Sequence, residues 1–278
     1  MNRRHFLLAG LACAFAPAVA IAQPPRFQPT RFSVQVRGRG PEVILIPGLT
    51  AGRDVWTEAV AAVPGYRYHL LQVAGFGGEP ARDNGRGPIV GPLADQIARY
   101  IETRGLSRPA LVGHSMGGTL AMLVALRRPE LAGRVMVVDM LPQPAGLYGG
   151  SASGWSGLAR SLGAMMESSG GRQLFANLMG ALSPPGQVAG SDPIVVGRAM
   201  SELGATDLGP ELGRLRAPLT VVYASPAAQA NGPIDRQFAA AYARARGARL
   251  IRVDNSSHMV MRDQPGRFAA AMRRFLAR

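Results

Sequence analysis

The chain has 278 residues, 47% of them hydrophobic, enough apolar material for one domain of moderate size with an insertion. Its formal net charge is +14, and all 31 basic residues are arginine, scattered along the chain as at Arg82, Arg99, Arg127, Arg160, Arg198, Arg244 and Arg273. No basic run is interleaved with aromatics, which argues against nucleic acid as a partner and for a solvated basic surface. Cys13 is the one cysteine and the four histidines do not cluster, so an internal disulfide is excluded and a metal site is not expected.

Residues 1–22 read as a signal peptide: Arg3-Arg4 at the start, an apolar run, and a small-residue end at Val19-Ala20-Ile21-Ala22 before Gln23-Pro24-Pro25. Cleavage is expected after Ala20 or Ala22. The paired arginines before Phe6-Leu7 are similar to a twin-arginine signal, which exports folded proteins, and an ordinary secretory signal fits as well. The apolar run is too short for an integral membrane span. Gly10-Leu11-Ala12 before Cys13 fits a lipid-attachment site poorly. The expected location is periplasmic or secreted, in a bacterium.

Downstream, strands alternate with helices. Residues 30–37 alternate apolar and polar as a half-exposed strand, whereas Glu42-Val43-Ile44-Leu45-Ile46 is a continuous apolar run, buried on both faces. Residues 67–73 form another strand and 90–104 an amphipathic helix closing at Gly105. Strands are expected at 134–139, 219–224 and 249–254, and helices at 234–246 and 265–277. This pattern predicts an α/β fold with a mostly parallel sheet flanked by helices. Residues 141–216 break the alternation. They carry short helical patches at 155–168 and 172–182 and read as a helical cap inserted into a core of 23–140 and 217–278. Met165, Met166, Met179 and Met200 suit a pliable cap wall, or simply pack the cap onto the core.

The most informative stretch is Gly113-His114-Ser115-Met116-Gly117. An apolar strand precedes it (Pro109-Ala110-Leu111-Val112), and a helix-forming run from Gly118 through Leu126 follows at once. That context makes the pattern a nucleophile elbow. The turn strains the serine backbone, and glycines on either side leave room for it. The strain is expected to hold the Ser115 hydroxyl out into solvent, near the N-terminal amides of the next helix.

The chain resembles the α/β-hydrolase fold family in Ile46-Pro47-Gly48-Leu49, in Gly113 through Gly118, and in Ser257-His258-Met259 before Asp263-Gln264-Pro265. The resemblance implies a Ser-His-acid triad in that chain order. A serine hydroxyl needs a neighbouring imidazole to take and return its proton. His5 leaves with the signal, His114 adjoins the serine, and His69 lies within an early strand. His258 therefore remains as the base. The acid stays open. The family's usual site follows the strand ending at Ala224, where Ser225-Pro226-Ala227-Ala228 offers no carboxylate. Asp139, at the end of the strand after the elbow helix, is the first choice. Asp235 comes late in the right loop, beside a helix start where a capping role is ordinary. A third outcome is that neither serves. Asp254, close to His258 in sequence, reads as a turn residue. The oxyanion hole is expected from the backbone amides of Leu49 and Met116. Gly75-Phe76-Gly77-Gly78 reads as structural.

The resemblance implies an exported serine hydrolase acting on a small-molecule acyl substrate, a carboxylic ester or a related acyl bond, with no cofactor and no metal. Two other readings remain open. One is an acyltransferase or cofactor-free haloperoxidase-like enzyme. The other is a non-catalytic ligand-binding protein that kept the fold and lost its acid.

Overall fold

A computed structural model describes residues 27–147 and 190–277 of the chain. The signal segment, the patches at 155–168 and 172–182, and Met165, Met166 and Met179 lie outside the described residues. The described residues build one seven-stranded sheet in the order β1-β3-β2-β4-β5-β6-β7. Its strands are β1 Phe32–Gly38, β2 Glu42–Ile46, β3 Arg67–Val73, β4 Ala110–His114, β5 Arg134–Val138, β6 Leu219–Ser225 and β7 Arg249–Asp254. β1 is antiparallel to β3 at the edge, and every other pairing is parallel.

The sequence pattern accounts for this directly. The residues of β2 after Glu42, and all of β4, are buried, as strands between two helical layers must be. β1, alternating in sequence, is buried at Phe32 and exposed toward its far end. Successive residues of β2 feed opposite faces: Ile44 and Ile46 enter one core cluster, Val43 and Leu45 the other. On the first face pack α2 (Val90–Thr103) and α3 (Met116–Arg127). On the second pack α1 (Thr57–Ala62) and α7 (Pro265–Leu276), with Trp56 tilted against Phe268.

Helix α2 buries Leu93, Ala94, Ile97, Ala98 and Ile101, the stripe its spacing prescribes. It ends at Gly105 (φ 62), where Gly105 N–H reaches Glu102 O and Leu106 N–H reaches Ile101 O, a glycine-terminated helix end.

Two differences from the sequence expectation go beyond a residue or two at an element's end. Helix α6 runs Asn231–Ala241, not 234–246. Pro233 falls in its first turn, where its missing N–H costs nothing. At the other end Tyr242 caps the helix, and its hydroxyl donates to Met140 O at 2.7 Å. The second difference concerns the insertion. After the four-residue α4 (Pro144–Leu147), the chain re-enters the described region at residue 190 and forms α5 (Pro193–Ala205). Asp192 caps α5 through Ile194 and Val195 N–H, with Pro193 at its first position. Val195, Val196, Ala199, Met200 and Leu203 are buried in the larger core cluster. The Glu202 carboxylate also accepts the Ile89 and Val90 amides, closing the N-terminus of α2. The buried face of α5 thus packs into the core next to α2. Met200 packs in that core instead of lining a wall.

Candidate active site

Parallel pairing sets the strand ends side by side. Ile46 pairs with Gly113, and His114 with Val138. The Ser115 amide continues the ladder to Val138 O at 2.9 Å, and the Asp139 amide to Val222 O at 2.7 Å. On the far side, Ser225 pairs with Asp254 and Ser256 N–H reaches Ser225 O. The loops carrying Leu49, Ser115, Asp139 and His258 therefore emerge at the same, carboxyl edge of the sheet.

Ser115 sits at φ 52, ψ −123 between β4 and α3. A non-glycine residue there is strained by about 1–3 kcal/mol, and surrounding contacts must hold it. A Cβ on Gly113 would lie 2.0 Å from Gly117 O, and one on Gly117 2.1 Å from Ile46 O, so neither position accepts a side chain. The loop after β2 comes equally close. A Cβ on Gly48 would lie 3.0 Å from the Ser115 Cβ. The serine is consequently buried, not held out into solvent as the elbow alone suggests. At the neighbouring turn, Ser191 Oγ reaches Thr50 O, so the chain returning into α5 lies beside this loop.

The amides of Leu49 and Met116 have no acceptor among the described residues. For Met116 the cause is its place at the first position of α3, where no intrahelical partner exists.

His258 and Asp139 meet directly. His258 Nδ1 lies 2.7 Å from Asp139 Oδ2, with both side chains buried. The carboxylate only accepts, so the ring donates from Nδ1 and its Nε2 carries the lone pair. The other carboxylate oxygen accepts the Ala224 amide at 2.9 Å, fixing the group at both oxygens. Asp139 holds φ 49, a left-handed conformation that aspartate tolerates better than most residues. The buried Tyr242 hydroxyl is pushed well above its ordinary range by burial and by the nearby Asp139 charge.

The other carboxylates are engaged elsewhere. Asp235 lies inside α6 rather than at its start. It accepts from Tyr223 Oη at 2.7 Å and pairs with Arg252. Asp254 pairs with Arg252 Nε at 2.6 Å. Asp263 accepts the Ser257 amide at 2.7 Å and so steadies the His258 loop, a role the spacing of Ser257 and Asp263 could have suggested. His69, expected as a packed or edge residue, is buried between Tyr100 Oη (2.7 Å) and Glu42 Oε2 (2.6 Å), far from the serine in the sheet order. A cavity of about 290 Å³ opens beside His258, walled by Leu147, Ala224, Ile234 and Phe238.

Over residues 43–271 the sequence matches the family model described as the alpha/beta hydrolase family. The chain belongs to that family. Along 113 residues this family member is 34% identical to a pimeloyl-(acyl-carrier protein) methyl ester esterase of Aeromonas salmonicida, a stretch covering 40% of this chain and 42% of that protein. It is 31% identical over 108 residues to an sn-1-specific diacylglycerol lipase of Xenopus laevis, covering 38% of this chain and 34% of the other. The chain thus spans about two-fifths of the length of the curated relatives it matches. Across the whole alpha/beta hydrolase fold, a thermophilic esterase from Thermogutta terrifontis superposes with TM-score 0.74 at 19% identity, covering 88% of this chain and 93% of that one. A hydrolase from Pseudomonas aeruginosa gives TM-score 0.71 at 18% identity, covering 89% and 94%.

One residue of the candidate site was missed by sequence reasoning. His114, set aside as merely adjacent to the serine, donates from Nε2 to the His258 carbonyl oxygen at 2.9 Å. Its ring lies 4.6 Å from the His258 ring, centroid to centroid. Its Nδ1 is buried without a partner among the described residues, at a cost of about 1–3 kcal/mol. Burial, followed by the neighbouring His258, lowers its pKa to about 3, so the ring is neutral at ordinary pH.

Proposed function

We propose that the protein is an exported serine hydrolase that cleaves carboxylic esters or related acyl bonds of small molecules. The observation that carries this reading is the 2.7 Å bond between His258 Nδ1 and Asp139 Oδ2, made at the sheet edge where the strained Ser115 turns into α3. Asp139 orients the imidazole through Nδ1, so that Nε2 carries the lone pair that acts as base. Ser115 Oγ adds to the acyl carbon as His258 takes the hydroxyl proton. The carbonyl oxygen, now anionic, is received by the backbone amides of Leu49 and Met116. Collapse breaks the bond to the leaving group, which takes the proton from His258 and departs. Water then adds to the acyl-enzyme by the same proton route, and the acid is released as Ser115 regains its proton.

The names of partial relatives, a methyl ester esterase and a lipase, support an ester substrate. The missing carboxylate after Ala224 favours a non-catalytic protein. It loses force because Asp139 already makes the bond a later acid would make. The cavity beside His258 offers room for the leaving group, since His258 protonates it.

Hydrolysis of p-nitrophenyl esters of graded acyl length by the purified mature protein tests this reading. Turnover that disappears in Ser115→Ala supports it, and equal turnover by wild type and variant overturns it. Export rests on residues 1–22. Mass spectrometry of periplasmic protein should find an N-terminus at Ile21 or Gln23, and replacing Arg3-Arg4 with lysines separates a twin-arginine route from the general one.

A further inference from the structure

We propose that His114 is a positioning residue of this site: its imidazole ties the strand bearing Ser115 to the loop bearing His258 and holds the two in register. The proposal rests on the serine-hydrolase reading above. His114 is the last residue of β4, so its backbone enters the elbow directly. Its side chain crosses to a residue 144 positions away and donates Nε2–H to the His258 carbonyl oxygen at 2.9 Å. Since that oxygen only accepts, the proton must reside on Nε2. The two rings also face each other, with centroids 4.6 Å apart and planes inclined by 50°. Other bonds fix the flanks of the loop: Ser256 N–H to Ser225 O, Ser257 N–H to Asp263, and Gln264 Nε2–H to Asn255 O. His114 acts on His258 itself.

Two further features fit a positioning role. The Nδ1 edge of His114 lies against Gly48, where an added Cβ would come within 2.9 Å of it. One ring thereby touches the oxyanion loop, the nucleophile strand and the base loop. The ring is also neutral at ordinary pH, because burial disfavours its cation. It supplies a hydrogen-bond donor beside His258 without adding a second positive charge there when His258 takes the serine proton.

The test compares His114→Phe, which keeps the ring and removes the donor, with His114→Gln, whose amide restores a donor. His114→Met replaces Phe if the larger ring prevents folding. For one ester, the apolar variant should lose about tenfold to a hundredfold in kcat with KM little changed, the cost of a small misplacement of a reacting group. His114→Gln should recover most of that loss, and melting temperatures should not follow the order of activities. Equal impairment of the apolar and Gln variants, a loss confined to KM, or no loss at all would each overturn the proposal.

A second readout needs no substrate. The low-field proton NMR signal of the His258 Nδ1–H bonded to Asp139 should persist in wild type and Gln but broaden or move in the apolar variant. If wild type hydrolyses no ester, the functional reading fails. The NMR comparison still decides whether His114 positions His258, and an unchanged signal in the apolar variant would show that it does not.

Discussion

The carboxylate of Asp139 and the imidazole of His258, 119 residues apart in the chain, share a 2.7 Å hydrogen bond at the carboxyl edge of the sheet. On the proposed reading the acid comes from the strand beside the elbow, one strand earlier than the loop after Ala224. Asp139→Asn keeps an acceptor for the Ala224 amide but presents an amide where the ring must donate, forcing the wrong tautomer. We expect kcat to fall about ten-thousandfold with the fold retained, read by steady-state kinetics beside circular dichroism. Near-wild-type turnover would show that Asp139 is not the acid.

Asp235 supplies the contrast. Its carboxylate is partly exposed and pairs with Tyr223 and Arg252 away from His258. Asp235→Asn should leave kcat/KM within about twofold and cost no more than about 1 kcal/mol, as exposed ion pairs do. A large kinetic loss in this variant would return the acid to the later loop.

The elbow glycines should not tolerate alanine. Gly117→Ala drives a Cβ to 2.1 Å from Ile46 O, where only backbone could yield. We expect a loss above about 4 kcal/mol, seen as failure to recover folded, soluble protein. Gly85→Ala meets nothing closer than the Ala81 Cβ at 3.5 Å and should fold normally. Folded Gly117→Ala with wild-type stability would contradict the close approach.

Stability should fall with acid through His114. The folded protein protonates this ring at about pH 3, whereas the unfolded chain does so at the ordinary 6.5. Between those values the unfolded state binds the extra proton, so stability is fully present above pH 6.5 and drains away as pH falls toward 3. The whole effect is on the order of 5 kcal/mol. His69, also shifted downward by burial, adds in the same direction. Urea unfolding at pH 7, 5 and 4 should show a shallower loss in His114→Gln than in wild type. Parallel curves for the two proteins would refute this assignment.

Glu202 joins the returning segment to the core by capping α2 at Ile89 and Val90. Glu202→Ala should cost about 1–2 kcal/mol, since it removes the partner of two helix-terminal amides. Thermal melting gives the answer: a midpoint several degrees lower is expected, and an unchanged midpoint would mean that water caps the helix equally well.

The sheet was largely legible in the sequence because buried parallel strands are written as short apolar runs, such as 42–46 and 219–224, and because Gly105 and Pro265 punctuate helices by local backbone chemistry. Ser115 and His258 could be picked out as candidates for a similar reason: an elbow is a local turn, and the family resemblance places a base after the last strand. The acid was only narrowed, because what separates Asp139 from Asp235 is which strand lies beside which. The order β4-β5-β6-β7 is a tertiary fact. The bond from His114 to His258 was invisible for the same reason. The core role of residues 193–205 was hidden by a segment rich in Gly, Ser and Pro, whose buried stripe faces α2 only once the chain returns.

The central claim, an activated serine, is tested most directly by treating the purified mature protein with a fluorophosphonate and locating the adduct by mass spectrometry. The account predicts one adduct per chain, on Ser115, absent in Ser115→Ala and strongly slowed in Asp139→Asn. A folded protein that takes no label at Ser115, or labels equally fast in Asp139→Asn, would contradict it.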